Sequence, residues 1–212
     1  MPAFQRLATL KQTSFSDTFS VTFALQKRKR SYMIKLEPFV QSDFQQLINW
    51  IDNEELLIQW CGSLFSFPLT MRSLEWYVRD TNVINESDAF VYKAVETETG
   101  NVVGHISLGG LSWKNRSSRI SRVLVSPDAL QKGICQQMTK AVLKVGFEEL
   151  GLHRISLGVY ENNKAALNCY LKTGFNIEGV SRDILWFNNE FLSLIEMAIL
   201  EDEWRALNSQ II

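Results

Sequence analysis

Two short stretches of the chain place residue types at spacings that could do chemistry. The first runs from Val123-Leu124-Val125-Ser126-Pro127 through Leu130-Gln131-Lys132-Gly133-Ile134-Cys135-Gln136. It reads as a strand that empties into a short loop and then into the start of a long helix. Such a junction leaves several N–H groups without helical partners beside the positive end of the helix dipole, a combination that holds phosphate. Gly133 lets the backbone approach an anion, and Lys132 adds charge nearby. A strand, turn and helix with one glycine is also an ordinary structural junction. The second stretch is Asn163-x-x-Ala166-x-x-x-Tyr170-x-x-x-Gly174-Phe175. Ala166, Leu167, Tyr170 and Leu171 share a helix face, and a phenol there is either a packed aromatic or a proton donor. Asn163 is placed to cap that helix.

Other candidates stand alone. His105 shares a strand face with Val103 and Ser107 and reads as a base or as a satisfied or exposed histidine. Glu161 follows a strand and either takes a proton or sits in a turn. His153 follows Gly151 in a connecting loop and reads as a surface residue. Cys135, at a helix N-terminus where a thiol is acidified, is a nucleophile candidate without a histidine near it in sequence. Trp60, Phe65, Phe67 and Trp113 either wall a pocket or fill the core beneath a loop.

These residues need elements to position them. Ile34 to Phe39 alternates and predicts a first strand. Ser42 is expected to cap a helix carrying Phe44, Leu47, Ile48 and Ile51, and Asp52-Asn53-Glu54-Glu55 opens another that ends at Gly62. Residues 63–69 form an aromatic-rich loop, and Thr70 caps a helix with Leu74, Tyr77 and Val78 on one face. Strands are expected at Ala89–Glu96, Val102–Trp113 and Arg119–Val125, joined as an antiparallel meander through Gly100-Asn101 and the polar Lys114–Ser118. Ile134, Met138, Ala141, Val142 and Val145 recur at helical steps, predicting one long helix to Leu150 with its stop at Gly151. Ile155–Tyr160 is a strand, Asn163–Thr173 a helix, and Phe175–Phe187 with Phe191–Leu200 a closing pair of strands around Asn188-Asn189.

Composition agrees with a folded domain: of 212 residues 46% are hydrophobic and 21% charged, with 11 Gly and 4 Pro, which excludes collagen-like and low-complexity chains. The net charge of −1 hides an asymmetry. Residues 1–32 hold six Lys/Arg and one acid, Asp17, a net of +5, leaving 16 basic and 22 acidic residues to the remainder. The head's apolar run, Phe19–Leu25, precedes the basic cluster Lys27–Arg30, the reverse of a secretory signal. A transit peptide, a nucleic-acid contact, a solvated tail, or a true start at Met33 all remain readings of it. Cys61, Cys135 and Cys169 are widely spaced, so neither a disulfide framework nor a zinc site is signalled, and a reducing cytoplasm is the expected location. No segment reaches the roughly 18 to 20 apolar residues of a membrane-spanning helix.

Taken together and in this order, the two stretches resemble the GNAT superfamily of acetyl-CoA-dependent N-acetyltransferases. In that family the loop before the long helix follows Gln/Arg-x-x-Gly-x-Gly/Ala, and the later helix carries Asn…Ala…Tyr…Gly-Phe. Trp60-Cys61-Gly62, Phe65–Thr70 and the ending Ser193–Trp204 resemble the ribosomal-protein N-terminal (alanine/serine) acetyltransferase branch. The resemblance covers 33–204, with 1–32 as a basic extension and 205–212 as a tail. It implies an α/β domain with a mixed, mostly antiparallel sheet of seven or so strands, splayed between the fourth and fifth. It also implies acetyl-CoA as co-substrate, no metal, and direct attack by a primary amine, either a protein N-terminus or a small molecule.

By that resemblance the backbone of Val123, Leu124 and Val125 would hold the acetyl carbonyl and the pantetheine arm. Gln131, Lys132, Gly133, Ile134, Cys135 and Gln136 would cradle the pyrophosphate. Asn163 would touch the cofactor arm and Tyr170 would protonate the departing thiolate, with His105 and Glu161 as possible bases. Leu130 and Cys135 depart from the loop pattern, and Gly158 stands where related N-terminal acetyltransferases carry a glutamate base. A non-catalytic acyl-CoA-binding module on the same fold is the rival reading. Neither a membrane nor nucleic acid is the expected partner, and the chain is expected to be a monomer or homodimer. The acidic body favours a cationic acceptor.

Overall fold

The computed structural model describes residues 33–209; the readings made of residues 1–32 lie outside it. Seven strands form one sheet in the order β1-β2-β3-β4-β5-β7-β6. β1 (Ile34–Pro38), β2 (Phe90–Glu96), β3 (Val102–Ser112) and β4 (Ser117–Val125) make the expected antiparallel meander. β4 then runs parallel to β5 (Arg154–Tyr160), and β7 (Glu190–Leu200) pairs antiparallel with both β5 and β6 (Asn176–Phe187). The crossover between the parallel strands runs through a helix, the usual form of the long connection a parallel pair requires.

Each sheet face carries its own core. On one face α1 (Phe44–Trp50), α2 (Glu54–Cys61) and α3 (Met71–Tyr77) bury Phe44, Leu47, Leu57, Trp60 and Leu74 against Val91 and Leu124. On the other, α4 (Ile134–Lys144) and α5 (Lys164–Lys172) bury Ile134, Met138, Val142 and Tyr170 against Ile106, Ile120, Ile155 and Leu157. Gly104 permits this second approach, because a Cβ there would meet the Met138 side chain and the Leu124 carbonyl at 2.8 Å.

Three local expectations need correction. Ser42 does not cap a helix: it lies in a 3-10 turn, Gln41–Asp43, and the Asp43 carboxylate instead accepts from Val40 N–H (2.9 Å) and pairs with Lys93 Nζ (2.8 Å). The long helix ends its α-helical part at Lys144 and continues as a five-residue π-helical turn, Val145–Glu149, closed by Leu150 N–H to Val145 O at 3.0 Å. Apolar periodicity does not distinguish the two geometries, since both keep Phe147 buried. The tail expected from residue 205 is the body of a helix, α6 (Glu201–Ser209), whose Trp204 ring packs on Phe147 at 5.3 Å.

β4 and β5 are paired only from Ser117↔Arg154 to Ile120↔Leu157. Beyond that point β4 continues for five residues and β5 for three, and the strands part. A bulge in β4 accompanies the separation: His105↔Leu124 and Ser107↔Ser121 enclose two steps on β3 and three on β4. Arg122 takes up the extra residue with φ +53°, a left-handed conformation unusual for a side chain of its size.

Candidate active site

The wedge between β4 and β5 is where the chemistry-bearing stretches converge. Its β4 wall is Ser121–Val125, whose β5-facing edge has no strand partner. Val123 and Val125 pack toward α4, while Leu124 is buried on the α1–α3 face. At the open end the chain passes a 3-10 turn, Pro127–Ala129, and then Gln131 (φ +60°) and Gly133 (φ +77°), two left-handed residues that turn it into α4. Gly133 caps the helix, and a Cβ on it would meet nothing within 4 Å, so glycine is favoured there by backbone conformation rather than by crowding. The first helical hydrogen bond is Gln137 N–H to Gly133 O, which leaves the N–H groups of Ile134, Cys135 and Gln136 without helical acceptors. Lys132 Nζ donates to the Asp128 carbonyl at 2.5 Å, which holds its ammonium against the same loop. A free strand edge leading to a ring of unpaired amides fits an acyl-pantetheine arm ending in a pyrophosphate.

α5 forms the other side. Asn163 Oδ1 accepts from Ala166 N–H (3.0 Å) as the N-cap, and its Nδ2 donates to Gln59 Oε1 of α2 (3.3 Å). Tyr170 lies one turn further on, 5% exposed, edge-on to Phe175 with ring centroids 6.0 Å apart. Burial pushes its phenol above the ordinary value, so the group stays protonated at neutral pH.

Cys135 and Cys169 are disulfide-bonded to each other, which corrects the reading of three unconnected cysteines. The pairing was hidden in the sequence because the two lie 34 residues apart; α4 and α5 pack side by side and bring their Cα atoms to 6.5 Å. The nucleophile reading of Cys135 falls with it, since a sulfur in a disulfide has no thiolate to offer. Its backbone N–H remains available to the loop.

The candidate bases fare differently. His105 is 1% exposed, boxed in by Phe39 (ring centroids 4.5 Å apart), Trp60 and Tyr77, and its Nε2 shares a 3.1 Å hydrogen bond with the Tyr77 hydroxyl. Burial, and then the Arg122 charge, push it down to about 3. It belongs to the α1–α3 core and has no route to a substrate proton, so the expectation of a base there is corrected. Glu161 is exposed in the turn after β5, where Oε1 accepts from Ser193 N–H at 3.4 Å.

The site contains groups that the motif reading missed. Arg122 spreads over the Tyr77 ring at 4.6 Å and donates to Ser121 Oγ at 3.1 Å, while its carbonyl accepts from Trp60 Nε1 at 3.0 Å. Gly158 pairs with Glu196 of β7, and Arg119 of β4 reaches across that glycine to bind Glu196 at 2.8 Å. The sequence signal was present: Glu196 is the one charged residue in the run Phe191–Leu200. Two surface cavities of about 410 and 440 Å³ flank α6, and no wedge residue lines either one.

The geometry has counterparts among known proteins. The model of the acetyltransferase (GNAT) domain family matches residues 34–176. A spermidine N(1)-acetyltransferase of Escherichia coli K12 is 23% identical over 177 residues, covering 83% of this chain and 90% of that protein. A putative ribosomal N-acetyltransferase, YdaF of Bacillus subtilis, is 30% identical over 107 residues, covering 50% of this chain and 58% of that one. The spermidine N-acetyltransferase of Vibrio cholerae, solved in complex with CoA and spermine, shares the fold with a TM-score of 0.71 at 21% identity, covering 82% of this chain and 98% of that one.

Proposed function

The chain belongs to the acetyltransferase (GNAT) domain family and is an acetyl-CoA-dependent N-acetyltransferase; from that premise we propose the residues that carry the transfer and the acceptors open to it. The observation that supports the reading is the β4–β5 wedge, whose β4 edge leads into the amides at the start of α4, with α5 and its Tyr170 packed beside that helix. Acetyl-CoA supplies an acetyl group already activated as a thioester. The free edge of Val123–Val125 aligns the pantetheine arm and the acetyl carbonyl, and the amides from Gln131 to Gln136 hold the pyrophosphate. Asn163 sets the start of α5, and so the position of Tyr170, by capping the helix.

The acceptor is a primary amine, of a small molecule or of a protein N-terminus. Its nitrogen arrives as an ammonium and sheds one proton to solvent. It then bonds to the acetyl carbon as the carbon–sulfur bond breaks. Tyr170 gives its proton to the sulfur and regains one, through water, from the nitrogen. The sum is one amide, one free thiol and one proton released. The relative named for spermidine supports a small-molecule amine, and the one named as a putative ribosomal N-acetyltransferase supports keeping a macromolecular acceptor open. A monomeric or homodimeric state and a cytoplasmic site of action belong to the same reading; the paired Cys135 and Cys169 weigh against the second, since disulfides persist mainly in oxidising compartments.

The test is to mix the full chain with acetyl-CoA and a panel of amines and short peptides while following free thiol. Amine-dependent thiol release matched by acetylated product is expected. Saturable CoA binding with no such release would overturn transfer and leave the binding module.

A further inference from the structure

Gly158 of β5 and Glu196 of β7 face each other in register, and Arg119 of β4 reaches them from a position two residues back, on the sheet face that carries α1–α3. Arg119 is paired with Ser156 in register, one residue before the last β4–β5 pair, so its side chain stands at the place where the two strands part. Gly158 has no side chain to occupy that place; a Cβ would run into the Arg119 guanidinium and into Leu194 Cδ2 at 2.6 Å. The guanidinium lies across the glycine and binds Glu196, with Nη1 2.8 Å from Oε2. An ion pair open to solvent is also open to a charged acceptor that exchanges with either partner. This one keeps 40% and 33% of its side chains exposed at the mouth of the wedge.

Arg122 adds to the same face. Its guanidinium lies over Tyr77, its Nε is buried without a hydrogen-bond partner, and among the described residues no carboxylate pairs with it. Arg119, Arg122 and Glu196 together are two guanidiniums and one carboxylate. A polyamine brings several positive charges and no negative one, and so offers neither guanidinium a partner. An acceptor with one ammonium and one carboxylate fits that arrangement, because guanidinium binds carboxylate with matched planar geometry and Glu196 remains to take the ammonium.

The geometry points to Arg119 and Glu196 as the anchoring pair for a zwitterionic acceptor, a free α-amino acid, with the acceptor carboxylate on Arg119 and its amine turned to the wedge by Glu196. This inference rests on the acetyl-transfer reading and narrows it: it sets the local charges of the mouth against the cationic acceptor suggested by the acidic body, and it disfavours a protein N-terminus, whose first residue has no free carboxylate.

The experiment measures amine-dependent thiol release by the full chain with the common L-amino acids, their amides, a tripeptide and spermidine, with CoA affinity measured separately. At least one amino acid is expected to be turned over roughly ten- to a hundredfold better than its own amide, the range set by losing a charge-assisted hydrogen bond. Arg119→Gln should raise KM for that amino acid by a similar factor, erase its advantage over the amide and leave CoA affinity unchanged, while Arg119→Lys restores part of the advantage. Amides, peptide or spermidine used as well as or better than every amino acid would overturn the inference and leave acetyl transfer standing. No release with any amine despite CoA binding would overturn both. The comparison of each amino acid with its amide on the unaltered chain decides the question even if Arg119→Gln does not fold.

Discussion

A phenol removed from water keeps its proton, and that decides what Tyr170 is able to do. Its residue type leaves acid, base and packing open; 5% exposure and the raised pKa leave an acid available throughout the neutral range. Tyr170→Phe is expected to lower kcat by about a hundredfold or more, the usual contribution of a positioned acid, with CoA affinity retained. Turnover unchanged at every pH would remove the residue from the mechanism. The same logic run in reverse removes His105: a histidine is a base only where a proton can reach it, and this one sits between Phe39, Trp60 and Tyr77. Tyr170 was legible because the Asn163…Ala166…Tyr170…Gly174-Phe175 spacing is local to one helix. Arg119, Arg122 and Glu196 were not, since their meeting depends on how three strands align.

At the scale of elements, the site depends on α4 and α5 standing beside each other, and the Cys135–Cys169 disulfide ties them where the loop enters α4 and one residue before Tyr170. Closing a loop with a sequence separation of 34 restricts the unfolded chain by about 4 kcal/mol in the chain-entropy picture, with roughly 2 to 4 kcal/mol typical of measurement. Urea unfolding of Cys169→Ser, or of the unaltered protein under a thiol reductant, is expected to show a loss in that range, while Cys61→Ser shows none from this source. Identical midpoints with and without reductant would show that the link does not contribute. Most elements followed from periodicity and turn chemistry: Thr70 caps its helix as expected, and the helix opened by Asp52–Glu55 begins there with Asn53 as its cap. The exceptions share a cause. The 3-10 turn at Ser42, the π-helical turn after Lys144 and the bulge at Arg122 each change the backbone while keeping the same residues buried, so the apolar pattern does not record them.

For the whole molecule, the buried histidine makes stability depend on pH. Below about 6.5 the unfolded chain takes up a proton that folded His105 refuses until about pH 3, so its contribution is complete above 6.5 and is lost as pH falls through that window. The loss amounts to about 1.4 kcal/mol per pH unit, or roughly 2 kcal/mol between pH 6.5 and 5. Urea midpoints measured across that range should fall less steeply for His105→Gln than for the unaltered chain; equal slopes would show that His105 is protonated in the fold. The sequence alone determined the strand and helix order, the glycine-containing loop that enters α4 and the helix that carries Tyr170, because each is written in contiguous residues whose period or spacing is itself the signal; the splay between β4 and β5 was implied only by the family resemblance. Only the tertiary structure decided the disulfide, the exclusion of His105, and the guanidinium–carboxylate pair across Gly158. Those depend on residues from separate elements reaching the same few ångströms, and on the water that packing removes around them, neither of which leaves a local mark in the chain.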